Sequence, residues 1–130
     1  MTPKEVVQQF YSSDLANNTE AVALCFHKDC TLSWHSSKGF NVLDFNALKL
    51  VFEEVRKMYE TLRFETSHLL QDENMVTIRY TSYFTTVENP NEEMPLAHFT
   101  TIWEVKDDKI IKGFQMSQLA DSSSESLNSF

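Results

Sequence analysis

The sequence predicts an α+β fold. Helical apolar spacing is confined to about the first 62 residues, while alternating, β-branched segments fill the stretch from Phe64 to Leu119. Ten Phe against two Gly in 130 residues add a third observation, because that balance suits a packed, sheet-rich body with few special turns.

The first helix has clear start signals. Thr2-Pro3-Lys4-Glu5 is a capping box with Pro at the first helical position, and Val6, Val7, Phe10, Tyr11 and Leu15 follow at helical spacing. Asn18 or Thr19 opens a second helix through Val22, Leu24, Cys25 and Phe26. Cys30 to His35 alternates as a short strand, and Ser36 to Gly39 turns it. Asp44 caps a third helix from about Phe45 to Leu62, with an apolar stripe from Leu48 through Val55 to Tyr59.

The remainder reads as a meander. Phe64–Leu70, Met75–Val87, Leu96–Val105 and Lys109–Leu119 are strands, separated by polar turns at 71–74, 88–95 and 106–108. Residues 1–119 form one domain, and 120–130 reads as a Ser-rich disordered tail. Three helices cannot cover both faces of four long strands. One face therefore curls around the helices, and the other meets solvent or another subunit.

Composition excludes several functions. A net charge of -8 suits neither nucleic acid nor an anionic membrane surface, and both are expected to be absent as partners. No Gly-rich phosphate cradle exists. Cys25 and Cys30 form neither a disulfide framework nor a zinc set, and they read as small buried hydrophobes. Four scattered His residues give no metal site, and no cofactor is implied. No leader pattern opens the sequence and no apolar run approaches roughly 18 residues, so a cytoplasmic chain with reduced thiols is expected.

The order helix, helix, short strand, long helix, meandering sheet resembles the nuclear transport factor 2-like superfamily. Its members include SnoaL-like cyclases, ketosteroid isomerases, scytalone dehydratase and binding domains without chemistry. Val6-Val7-Gln8-Gln9-Phe10, Ala21 to Phe26 with Asp29 to Leu32, and Leu96-Ala97-His98-Phe99 carry the resemblance, which spans about residues 3 to 119. It implies a cone-shaped half-barrel, with three N-terminal helices on a strongly curved, mostly antiparallel sheet. It also implies a deep pocket and a homodimer through the convex sheet face.

Ketosteroid isomerisation needs a proton-shuttling carboxylate, and a Tyr with a neutral carboxylic acid to hold the dienolate. Aligned on these segments, Phe10 replaces the Tyr, Trp34 the shuttling carboxylate and Ala97 the oxyanion acid. A shift of one residue brings Tyr11 into play but restores neither acid. Steroid isomerisation is therefore not expected.

Strand parity offers candidate pocket residues. On the Met75–Val87 strand, Val76, Ile78, Tyr80, Ser82 and Phe84 form the pocket-like set. Thr77, Arg79, Thr81, Tyr83 and Thr85 suit a polar or dimer face. Phe10, Trp34, Tyr59, Ile78, Tyr80, Ala97, Phe99 and Gln115 are the candidate ligand-binding residues, and with Trp103 several of them equally suit a core. The last strand has two readings. The resemblance turns Ile111, Gly113, Gln115 and Ser117 inward, leaving Ile110, Phe114 and Met116 for a dimer partner; hydrophobicity alone favours the reverse.

Tyr11, His35, Tyr59 and Gln115 are the candidate catalytic groups. His35 follows Trp34 and His98 follows Ala97, so each points away from its pocket-facing neighbour. Glu53 and Glu54 read as a solvated helix face.

Three functions are compatible with these residues: a domain binding a small hydrophobic or aromatic ligand, a cofactor-free SnoaL-like isomerase, cyclase, dehydratase or hydrolase, and an interaction module whose pocket is only core. A cavity above about 300 Å3 would count against the third.

Overall fold

The computed structural model describes residues 1–130. Its first helix, α1 (Pro3–Tyr11), starts as the capping box requires. The Thr2 hydroxyl accepts from the Glu5 backbone N–H at 3.1 Å, and the Glu5 carboxylate accepts from the Thr2 N–H at 2.9 Å. Val6, Val7 and Phe10 are buried on its inner face. The second helix, α2 (Ala21–Cys25), is shorter than its apolar spacing suggests. Phe26 already has an extended backbone and begins β1 (Phe26–Ser36).

A strand not foreseen in the sequence follows. β2 (Gly39–Asp44) folds back on β1, pairing Ser36 with Gly39 and Thr31 with Asp44. Gly39 has φ 108°, which favours Gly at that turn. β2 lies at a sheet edge and is almost wholly exposed, so no alternation marks it. Asp44 then caps α3 (Phe45–Met58), its carboxylate accepting from the Ala47 N–H at 2.9 Å. The helix stops four residues before the expected end, because Thr61 already pairs with Thr85 in the sheet.

β3 (Thr61–Asp72), β4 (Met75–Thr85), β5 (Met94–Lys106) and β6 (Lys109–Leu119) complete one six-stranded sheet in the order β2-β1-β6-β5-β4-β3. Only the β1–β6 pairing is parallel. The sheet curls around α1, α2 and α3, giving the half-barrel the resemblance implied. Asp107 and Asp108 both adopt φ near 55° (53° and 59°), as a two-residue primed hairpin turn demands between β5 and β6.

Inner and outer faces follow strand parity except where the register shifts, and the shift between β5 and β6 decides which residues of the last strand face inward. The β5–β6 register shifts between Glu104 and Val105, so Ile111 is an extra residue. Ile110 is thereby turned into the core, fully buried, rather than toward a partner, while Gly113 and Gln115 also face inward. Phe114 and Met116 are left outside, 44% and 66% exposed. Cys25 and Cys30 are free and buried. No helix is long and apolar enough to cross a membrane.

Residues 120–130 follow the last strand. A short helix, α4 (Ser124–Ser129), is capped by the Ser123 hydroxyl, and Phe130 lies on the outer sheet face.

Candidate functional site

Register places inward residues in cross-sheet rows. The deepest is Leu32–Gly113–Trp103–Val76, the next Trp34–Gln115–Thr101–Ile78, and the third Ser117–Phe99–Tyr80. Gly113 is required in the first row. A Cβ there would lie 2.3 Å from Trp103 Cζ3 and 2.8 Å from Leu32 Cδ1, so the indole can lie across the strand only because no side chain stands beneath it.

Above these rows, α1 and α3 enclose a cavity of about 530 Å3, of whose 29 lining residues 21 are hydrophobic. Its walls are an aromatic lattice. Tyr80 stacks on Phe99 at 4.9 Å and 10°, and Phe10 meets Phe26 and Phe52 edge-on at 4.9 and 5.6 Å. Ser36, Ser37, Lys38 and Asn41 from the β1–β2 hairpin stand in the lining with Glu54 of α3.

Of the candidate residues, Phe10, Tyr11, Trp34, Tyr59, Tyr80, Ala97, Phe99 and Gln115 all line this cavity. Ile78 does not. It ends the second row beneath α1, is 2% exposed, and borders a separate groove between α1 and β3. His35 points outward and packs on Phe40 at 4.5 Å. His98 also faces out, toward the tail.

Polar atoms inside are few and mostly paired. Thr101, fully buried, donates to Gln115 Oε1 at 2.8 Å. That bond occupies the carbonyl end of the amide and leaves the Nε2 donors unclaimed by any protein acceptor. The Trp34 Nε1–H donates to Ser117 Oγ at 2.8 Å, and the Trp103 Nε1–H to the Tyr11 hydroxyl at 3.1 Å. Burial pushes the Tyr11 hydroxyl up to about 12 and raises Tyr80 well above its ordinary value, so both stay protonated and act as donors at neutral pH. Burial also raises Tyr59, nearer the mouth.

Ser82 and Ser117, both in the inward strand sets of the sequence reading, line the cavity, whereas Thr101 escaped that reading. Parity with Phe99 and Trp103 marks Thr101 as inward, but a lone Thr carries no chemical signal of its own.

Residues 7–113 match the SnoaL-like domain family. The chain belongs to that family. The match also bears out the nuclear transport factor 2-like resemblance, and solved structures share the fold. One is IdmH, a candidate polyketide cyclase from Streptomyces antibioticus: 12% identity, 90% of this chain, 92% of that one, TM-score 0.73. A candidate SnoaL-like polyketide cyclase from Shewanella denitrificans aligns over 98% of both chains at 7% identity and TM-score 0.68. A hypothetical protein from Catenulispora acidiphila with a ketosteroid isomerase-like fold, in complex with trimethylamine, shares 17% identity over 98% of this chain and 92% of that one, TM-score 0.68. At these identities the likeness is one of fold. No curated protein matches the chain.

In this SnoaL-like chain, Phe10, Trp34 and Ala97 all face the cavity. The positions that the resemblance pairs with a ketosteroid isomerase's Tyr and two acids thus hold apolar groups.

Proposed function

We propose that this SnoaL-like domain binds a small, flat, mostly apolar molecule bearing one hydrogen-bond acceptor. The observation that carries this is Gln115. Its carbonyl is held by Thr101, and its amide donors stand unclaimed in the floor of an aromatic cavity of about 530 Å3. An acceptor on the guest would replace water there, while Trp34, Phe99 and Tyr80 take its faces. The volume exceeds what a merely filled core would leave. Neighbouring folds described as candidate polyketide cyclases, and one holding trimethylamine, support a small-molecule role.

A catalytic reading is second. The Tyr11 and Tyr80 hydroxyls could stabilise a developing oxyanion on a guest carbonyl. The only other ionisable groups in the lining are Tyr59, Glu54 and Lys38, and the latter two lie on an exposed helix face and hairpin. Neither phenol can serve as a base near neutrality, because burial keeps both protonated. Binding is therefore the better-supported role. The expected cytoplasmic location is kept as part of this proposal.

The outer sheet face supports a homodimer in the same proposal. Ile102, Phe114 and Met116 lie together across β5 and β6 and stay exposed, with the Lys112 ammonium 5.4 Å from the centre of the Phe114 ring at their edge.

Titration with methyl naphthyl ketone, followed by Trp emission, tests the binding role. Saturable quenching that weakens in Trp34→Phe, where Trp103 in the lining is the remaining reporter, supports it. Non-saturable quenching, equal in both proteins, would remove it.

A further inference from the structure

The tail has a built seat on the outer face of the sheet. β3 and β4 lose register between Thr66 and His68, making Ser67 an extra residue. The Ser67 hydroxyl accepts from Arg79 Nη1 at 3.0 Å and itself donates to the Arg79 carbonyl at 3.1 Å. Arg79 is thus held over the strand, and its guanidinium lies 3.6 Å from the centre of the Phe130 ring. Arg79 Nη1 also donates to the Phe130 main-chain oxygen at 2.6 Å. The Phe130 ring also packs on His98 at 4.5 Å.

The same contact buries groups that an outer face would normally leave wet. Thr81 is 4% exposed although it points outward, and it hydrogen-bonds His98 Nδ1 at 2.8 Å. His98 Nε2 is covered and without a partner. Deeply covered polar groups on an outer sheet face are the mark of a docked segment.

Register puts this seat beside the apolar patch. Arg79 shares a row with Thr100 and Met116, and Thr81 with His98 and Gln118. A segment on Arg79 and His98 therefore occupies the surface that a second sheet would need to reach Met116 and Phe114.

We propose that residues 120–130 act as a strap, with Phe130 as its plug, whose docking on Arg79 and His98 excludes a second copy of this chain from the outer sheet face. The proposal rests on the homodimer reading given above. Releasing the plug frees a continuous surface from Arg79 to Phe114. Two bodies cannot occupy one face, so strap docking and dimer formation compete.

Sedimentation equilibrium of the full chain and of Phe130→Ala tests this. Losing the cation–π contact should tighten dimerisation by about tenfold. Deletion of 121–130 should do at least as much, and Phe130→Tyr should behave as the full chain. Met116→Glu added to Phe130→Ala should abolish the gain. A dimer of equal or lower strength in Phe130→Ala overturns the strap but leaves the dimer standing. Absence of dimer in every variant up to the solubility limit overturns both.

Discussion

Thr101 donates its hydroxyl to Gln115 Oε1 at 2.8 Å across the β5–β6 ladder, and both side chains are buried in the cavity floor. This single bond fixes which end of the amide a guest meets. Replacing Gln115 by Leu keeps the bulk and removes both roles. The Thr101 hydroxyl, fully buried, would lose its acceptor, so urea denaturation should show a loss of about 1–3 kcal/mol. Affinity for methyl naphthyl ketone should fall about tenfold, while that for isopropylnaphthalene, the same shape without the acceptor, should hardly change.

Gly113→Ala tests the packing of the innermost row. The new Cβ would collide with the Trp103 ring and with Leu32 Cδ1, and neither can retreat within a close-packed core. We expect a loss of about 1–3 kcal/mol or more in urea denaturation, with altered near-ultraviolet circular dichroism from the displaced indole.

Tyr11→Phe separates a structural bond from the cavity's shape. The change keeps the ring contacts with Phe10, Phe64 and Tyr80 but leaves the Trp103 Nε1–H, on a residue 2% exposed, without its acceptor. Stability should drop by about 1–3 kcal/mol, and Trp103 emission should shift as its N–H loses its partner.

His98 gives a pH dependence of known sign. Burial lowers its pKa, with Arg79 lowering it further and Asp121 opposing. The folded chain therefore takes up a proton less readily than the unfolded one. Its contribution is full above the unfolded value of about 6.5 and is lost as pH falls below that value. Denaturation midpoints should decline below about pH 6.5 in the full chain, and less steeply in His98→Gln.

Much of the architecture was legible because several signals agreed locally. Thr2 and Glu5 announced α1, and Lys106-Asp107-Asp108-Lys109 announced the hairpin that joins β5 to β6. β2 was not legible, since an edge strand buries almost nothing and so shows no alternation. The segment around Phe26 was ambiguous, because its apolar residues satisfy a helical period as well as they do a strand. In the last strand, hydrophobicity pointed Phe114 and Met116 inward. The structure turns them out, with Ile111 inserted as the bulge that lets Ile110 and Gln115 share one face. A bulge is a two-strand property that one strand's sequence does not display. Thr101 went unnoticed for a related reason, since its meaning lies in the residue opposite.

The most direct measurement is a crystal structure grown with methyl naphthyl ketone. The account predicts the naphthyl ring against Trp34 and Phe99, with the ketone oxygen within hydrogen-bond distance of Gln115 Nε2. A cavity collapsed onto its own side chains, or a ketone oxygen turned toward Lys38 at the mouth, would contradict it.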